Sequence, residues 1–147
     1  MSMMDGIAVQ ARIPNRYPIF HVDKVLALEP DRSVVVEKYL THAEGHVNGY
    51  RPDNPQLANS LMIEMMAQAA SVLILESPLF AGKTAYLAAV NDAEFPVIVQ
   101  AGSCLQIAVE MVKVRQTMGV VRAQATVAER SVASAELHFV VADADRG

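Results

Sequence analysis

The sequence predicts an α+β fold in which one long central helix is wrapped by a curved antiparallel β-sheet. Three observations carry that expectation. Residues 59–76 are rich in Leu, Met, Ala and Ile, with apolar side chains around the whole circumference of a helical projection, which requires burial on nearly all sides. Residues 84–91, 104–115, 120–128 and 132–142 are β-branched and partly alternating, the pattern of strands. Within 104–115, Leu105, Ile107, Val109 and Met111 share one strand face while Gln106 and Glu110 fall on the other, so the sheet has a dry face for the helix to cover.

The elements follow in order along a chain of 147 residues, a length that suits a single domain spanning 1–147. No repeat, low-complexity tract or Gly/Ser linker divides it. After a stretch ending at Ile13-Pro14-Asn15-Arg16-Tyr17-Pro18, residues 22–29 and 33–40 form a hairpin that turns at Pro30-Asp31-Arg32. Residues 41–58 carry Gly45, Gly49, Pro52 and Pro55 among polar side chains, which is loop chemistry, and loops of this length are often functional. Asn59 or Ser60 supplies the N-cap of the helix, and Pro78 lies just past its end. Thr117-Met118-Gly119 and Glu129-Arg130-Ser131 divide the second half into an antiparallel meander. A long helix wrapped by such a sheet is the hot-dog arrangement.

Composition narrows the function classes. An apolar content of 52% with 19% charged residues excludes intrinsic disorder, and a net charge of −4 with scattered basic residues excludes a nucleic-acid partner. The lone Cys104 cannot form an internal disulfide, and Met1-Ser2-Met3-Met4-Asp5-Gly6 lacks a basic segment followed by an apolar one, so a cytoplasmic location is expected. The most apolar stretch, 57–75, is broken by Asn59, Ser60, Glu64 and Gln68, short of the roughly 18 uninterrupted apolar residues of a membrane span. No membrane association is expected.

Glu64 stands out among the candidate site residues. A carboxylate in the first turns of an apolar helix is costly unless a partner or water satisfies it; alternatively it sits in a wet niche and interacts with the helix dipole. Gln68, four residues on, shares its face. His42, Glu44 and His46 lie close in sequence, but their loop gives no preset geometry for a metal, and none is expected. His21 and His138, set among apolar residues, read as structural, Cys104 as core, and Met62, Met65 and Met66 as core filling that would also suit the wall of a flexible apolar cavity.

Four motifs in order resemble the 3-hydroxyacyl-[acyl-carrier-protein] dehydratases of the hot-dog fold. They are Arg16-Tyr17-Pro18, Val22-Asp23-Lys24-Val25, Ile63-Glu64-Met65-Met66-Ala67-Gln68-Ala69 and Asn91-Asp92-Ala93-Glu94-Phe95. The departure is the loop before the helix, which in that family reads Gly-His-Phe-Pro-Gly-x-Pro-Val-Met-Pro-Gly. An ungapped count back from Glu64 places Tyr50 at the family histidine and keeps Pro52 and Pro55 in register. A shift of four residues instead places His46 there, behind Gly45, and breaks both prolines.

The resemblance implies a site in which a neutral histidine takes the proton beside the thioester carbonyl, the helix carboxylate, here Glu64, serves the leaving hydroxyl, and backbone N–H groups at the helix start face the thioester oxygen. Asn59 holds the position of the family's last loop glycine; its other reading is a plain N-cap. Tyr50, a phenol with an ordinary pKa of about 10, can donate a hydrogen bond or hold a position but cannot act as the base; its other reading is a surface aromatic with no role. No cofactor is implied. The substrate partner is an acyl carrier protein, and the functional unit is a dimer whose sites combine the histidine of one protomer with the carboxylate of the other. The first expectation is therefore a subunit supplying Glu64 to a homologous partner's histidine, in fatty-acid or polyketide (polyene) synthesis. The alternatives are a self-sufficient dehydratase using His46 or His42, as a homodimer, and a non-catalytic subunit that binds acyl chains or carrier protein.

Overall fold

The computed structural model describes residues 3–143. Its elements in chain order are β1 (Met4–Asp5), α1 (Gly6–Gln10), β2 (Lys24–Glu29), β3 (Ser33–Tyr39), α2 (Gly45–Tyr50), α3 (Asn59–Leu75), a 3₁₀ turn (Pro78–Phe80), β4 (Lys83–Glu94), β5 (Cys104–Arg115), β6 (Met118–Val127) and β7 (Arg130–Asp143). The strands form one seven-stranded sheet in the order β1-β2-β3-β5-β6-β7-β4, antiparallel at every step.

Burial explains the wrap. Every residue of α3 from Met65 to Ile74 is buried, and the helix touches β3, β4, β5, β6 and β7. On the sheet side, Leu105, Ile107 and Val109 of β5 are fully buried, as are Val121, Ala123 and Ala125 of β6, while Gln106, Ala108 and Glu110 face outward. The expected α+β arrangement is therefore present, with its core between the helix and the concave face.

Several boundaries differ from the sequence reading. The meander comprises only β5, β6 and β7, because β4 lies beyond β7 at the far edge. Helix α3, about 25 Å long at 1.5 Å per residue, carries the chain across the sheet before β4 begins. The β6–β7 connection is Ala128-Glu129, both with positive φ (48° and 68°), the two-residue hairpin geometry that usually calls for Asn or Gly. The N-cap of α3 is Ala58 and makes no side-chain cap, so neither Asn59 nor Ser60 caps the helix; they are its first two residues. The 41–58 loop contains α2, whose Val47 is fully buried, and the N-terminal stretch contains β1 and α1, the latter capped by Asp5 accepting from the Ala8 N–H at 2.8 Å.

Among the described residues the outer edge of β4 has no strand beside it. That edge presents Tyr86, Leu87 and Val90, each more than a third exposed.

Candidate active site

Glu64 is the sixth residue of α3, beyond the first turn, where the helix dipole acts most strongly, so the wet-niche reading loses its electrostatic support. What holds the carboxylate is Gln68. This side chain is 2% exposed, and its amide is fully engaged: Oε1 accepts from the His21 backbone N–H at 2.8 Å, while Nε2 donates to the Ile19 carbonyl at 3.2 Å and to Glu64 Oε1 at 2.9 Å. The segment before β2 thus orients a carboxylate on α3 through one glutamine. Glu64 and Gln68 line an open pocket of about 190 Å³ together with Asn15, Ser71, Tyr86 and Phe139, so the carboxylate lies beside the edge strand β4.

The start of α3 lies one to two turns away. The N–H groups of Leu61 and Met62 both return to the Ala58 carbonyl, at 3.0 and 3.1 Å, and no side chain caps the end. The first N–H groups of an uncapped helix have no intrahelical acceptor, which leaves the exposed Asn59 and Ser60 positions suited to receive an oxygen with developing negative charge.

The loop residues separate along α2. Tyr50, its last residue, is 49% exposed, and the Arg51 guanidinium lies 5.5 Å from its ring centre. His46, one turn earlier, is turned inward, with both ring nitrogens enclosed and without hydrogen-bond partners. It meets His21 edge to face, with ring centres 5.4 Å apart and planes at 89°, and its Nε2 stands 3.6 Å from Glu44 Oε2, too far for a hydrogen bond. Burial, then the Lys38 ammonium, drives His21 down to about 4; burial also lowers His46. Both rings are neutral at pH 7. Lys38, 4% exposed, pairs with Glu44 and lies 4.0 Å from Asp23.

The structure therefore brings Glu64 and Gln68 together, gathers His46 with His21, Glu44 and Lys38, and places Tyr50 in neither group. Sequence reasoning missed the buried polar cluster, although the inward register Val34, Val36, Lys38 on β3 was a usable signal for a buried lysine. It also misplaced Cys104, which is exposed because Leu105 takes the inward position. The thiol donates to Glu37 at 3.1 Å and is pushed up to about 11 by burial and that carboxylate, which keeps it protonated at neutral pH. His138 lies on the outer face of β7, within 3.0 Å of both Asn91 and Glu136. Among the described residues no group of three or more His, Cys, Asp or Glu is placed to hold a metal.

Known proteins resemble the chain along nearly its whole length. A FabA-like domain matches residues 13–136. The 3-hydroxyacyl-[acyl-carrier-protein] dehydratase FabZ of Pediococcus pentosaceus is 47% identical over 146 residues, covering 99% of this chain and 98% of the relative. That of Lactiplantibacillus plantarum is 46% identical over 145 residues, covering 99% of each. Among solved structures, the dehydratase heterocomplex ApeI:P from Xenorhabdus doucetiae superposes with a TM-score of 0.76 at 17% identity, over 94% of this chain and 91% of that one. Cj0977, a sigma28-regulated virulence protein from Campylobacter jejuni, superposes at 0.71 and 12%, over 97% and 93%. The structural likenesses show the fold, the sequence identities show the kinship, and the chain belongs to the 3-hydroxyacyl-[acyl-carrier-protein] dehydratase family of the hot-dog fold.

Proposed function

We propose that this protein acts in the dehydration of 3-hydroxyacyl thioesters carried by acyl carrier protein, in fatty-acid biosynthesis, as one subunit of a dimer that supplies Glu64 to a site whose histidine comes from a homologous partner chain. In that reaction a base removes the C2 proton, the C2–C3 double bond forms, and the C3 hydroxyl leaves as water after receiving a proton. The observation that carries the reading is Glu64, held by Gln68 in a pocket that opens beside the unpaired edge of β4. A partner pairing with that edge would cover Tyr86, Leu87 and Val90 and face its loop toward this carboxylate. The uncapped start of α3 at Asn59 supports the thioester-oxygen role of the backbone N–H groups there. Tyr50 is exposed and phenolic, so it serves as a donor or spacer and the base must come from elsewhere. The reaction belongs in the cytoplasm under this proposal, and among the described residues no helix is long and apolar enough to cross a membrane.

A second reading makes His46 the base of a self-sufficient homodimer. It is favoured by the burial of the ring, which lowers His46 and keeps it neutral as a base must be, and opposed by the enclosure of both ring nitrogens, which leaves neither open to a substrate.

The test measures dehydration of 3-hydroxyacyl carrier-protein substrates by the pure protein and by its mixture with a histidine-bearing homologue. Little activity alone, and activity on mixing that Glu64→Gln removes, is the expected result. Full turnover by the pure protein, abolished by His46→Ala, establishes the second reading. Activity on mixing that survives Glu64→Gln reduces the chain to a non-catalytic subunit that binds acyl chains or carrier protein.

A further inference from the structure

The buried cluster behind α2 has no part in the chemistry proposed for Glu64. His21, on the segment before β2, and His46, on α2, join two regions distant in sequence through one edge-to-face contact of 5.4 Å. All four ring nitrogens are enclosed and unpartnered, an arrangement compatible only with neutral rings. We propose that the His21–His46 pair is an acid-sensitive lock that holds α2 against the sheet, making His46 a positioning residue for Tyr50 and its loop.

The charges around the pair give the lock its sign. Lys38 faces it from β3, Glu44 from the N-cap of α2 and Asp23 from the segment before β2; α3 contributes the neutral Gln68, which holds the His21 backbone N–H. Glu44 is already committed to Lys38. A proton on His46 would find Glu44 at 3.6 Å, whereas the strongest charged influence on His21 is the Lys38 ammonium, which repels it. Charging His21 is opposed while α2 is docked, first by burial of its ring and then by Lys38; Lys38 stays on β3 when α2 swings out, so release relieves the larger, burial part, and protonation favours release. The direction agrees with the fall of His21 from 6.5 to about 4 on burial. The docked state is favoured fully above pH 6.5, and the advantage is lost as pH falls toward 4. Six residues long and with Val47 as its buried apolar anchor, α2 can open without unfolding the sheet.

The lock is independent of the reaction; its effect on turnover rests on the dehydratase reading. Hydrogen exchange of the α2 amides, corrected for intrinsic rates, and ring-proton NMR of His21 and His46 are followed on the full-length protein from pH 7.5 to 4. The expected result is a loss of α2 protection of at least tenfold in step with His21 titration, with β5 to β7 still protected, and a His21→Leu variant that lacks the part of the pH dependence that tracks His21, keeping only that of His46. Protection of α2 that is flat with pH, or lost equally in His21→Leu, overturns the lock. Should His21→Leu fail to fold, the wild-type ring decides: His21 titrating near 6.5 without a change in α2 exchange overturns it. In an active complex the acid limb of the pH–rate profile moves to lower pH in His21→Leu. If no dehydration occurs, the exchange data still decide, so failure of the lock and failure of the dehydratase reading are separable.

Discussion

The two halves of the candidate site are held by different physics. On α3, Glu64 stands on a helix buried from Met65 to Ile74 and is fixed through a glutamine whose every polar atom has a partner. On α2, a six-residue helix with two glycines, the anchors are one buried valine, an ion pair and two imidazoles without hydrogen bonds. Under the two proposals above, the helix half would be a rigid support for chemistry and the loop half a conditional one. With the carboxylate on α3 and Tyr50 on α2, a movement of α2 would leave Glu64 undisturbed.

Glu64→Gln is the sharpest probe of this division and has the largest expected effect. An amide can still accept from Gln68 Nε2, so the melting temperature stays within about 2 °C of wild type, while loss of the acid–base group lowers dehydration by roughly 10²–10⁴. Next comes Leu73→Ala, which opens a cavity under a fully buried side chain of α3 and is expected to cost about 2–5 kcal/mol in denaturant unfolding. A loss below 1 kcal/mol would show that α3 is not the rigid half. Acidification strikes the other half. With His21 at 6.5 unfolded and about 4 folded, the unfolded state binds the extra proton, so stability falls by up to about 3 kcal/mol as pH drops from 6.5 toward 4. Melting curves across that range check it, and a His21→Leu protein should lose this component. The smallest effect belongs to Tyr50→Phe. Removing one exposed hydroxyl should change stability by less than about 0.5 kcal/mol and the rate of an active complex by less than about tenfold, the worth of one neutral hydrogen bond. A larger rate loss would place the phenol on the reacting atoms.

What was legible in the sequence followed local physics. The all-round apolar helix and the alternation Leu105, Ile107, Val109 identified α3 and the dry sheet face, and the same alternation, applied one residue earlier, would have placed Cys104 outside. Helix α2 was not legible, because Gly-His-Val-Asn-Gly-Tyr has poor intrinsic helix propensity, and burial of Val47 together with the inward-turned His46 ring decides its shape. The hairpin turn Ala128-Glu129 lacked the usual Asn-Gly signal, so its geometry comes from pairing of the flanking strands. On the site, Glu64 and Gln68 were readable as a helical i, i+4 pair. The contact of His21 with His46 was not, since nothing local distinguishes a histidine that packs in the core from one that meets a second ring across the fold.

The placement of β4 bears on how the chain is made. During synthesis α3 and β4 emerge well before β7, yet among the described residues β7 is the only strand that pairs with β4. The apolar girdle of α3 must therefore wait, incompletely covered, until nearly the whole of residues 3–143 has left the ribosome. Such late, non-local closure lowers the folding rate and prolongs exposure of a sticky intermediate. A nascent chain halted before residue 130 is expected to be bound by holdase chaperones or to precipitate, while one released past residue 143 closes its sheet in a single late step.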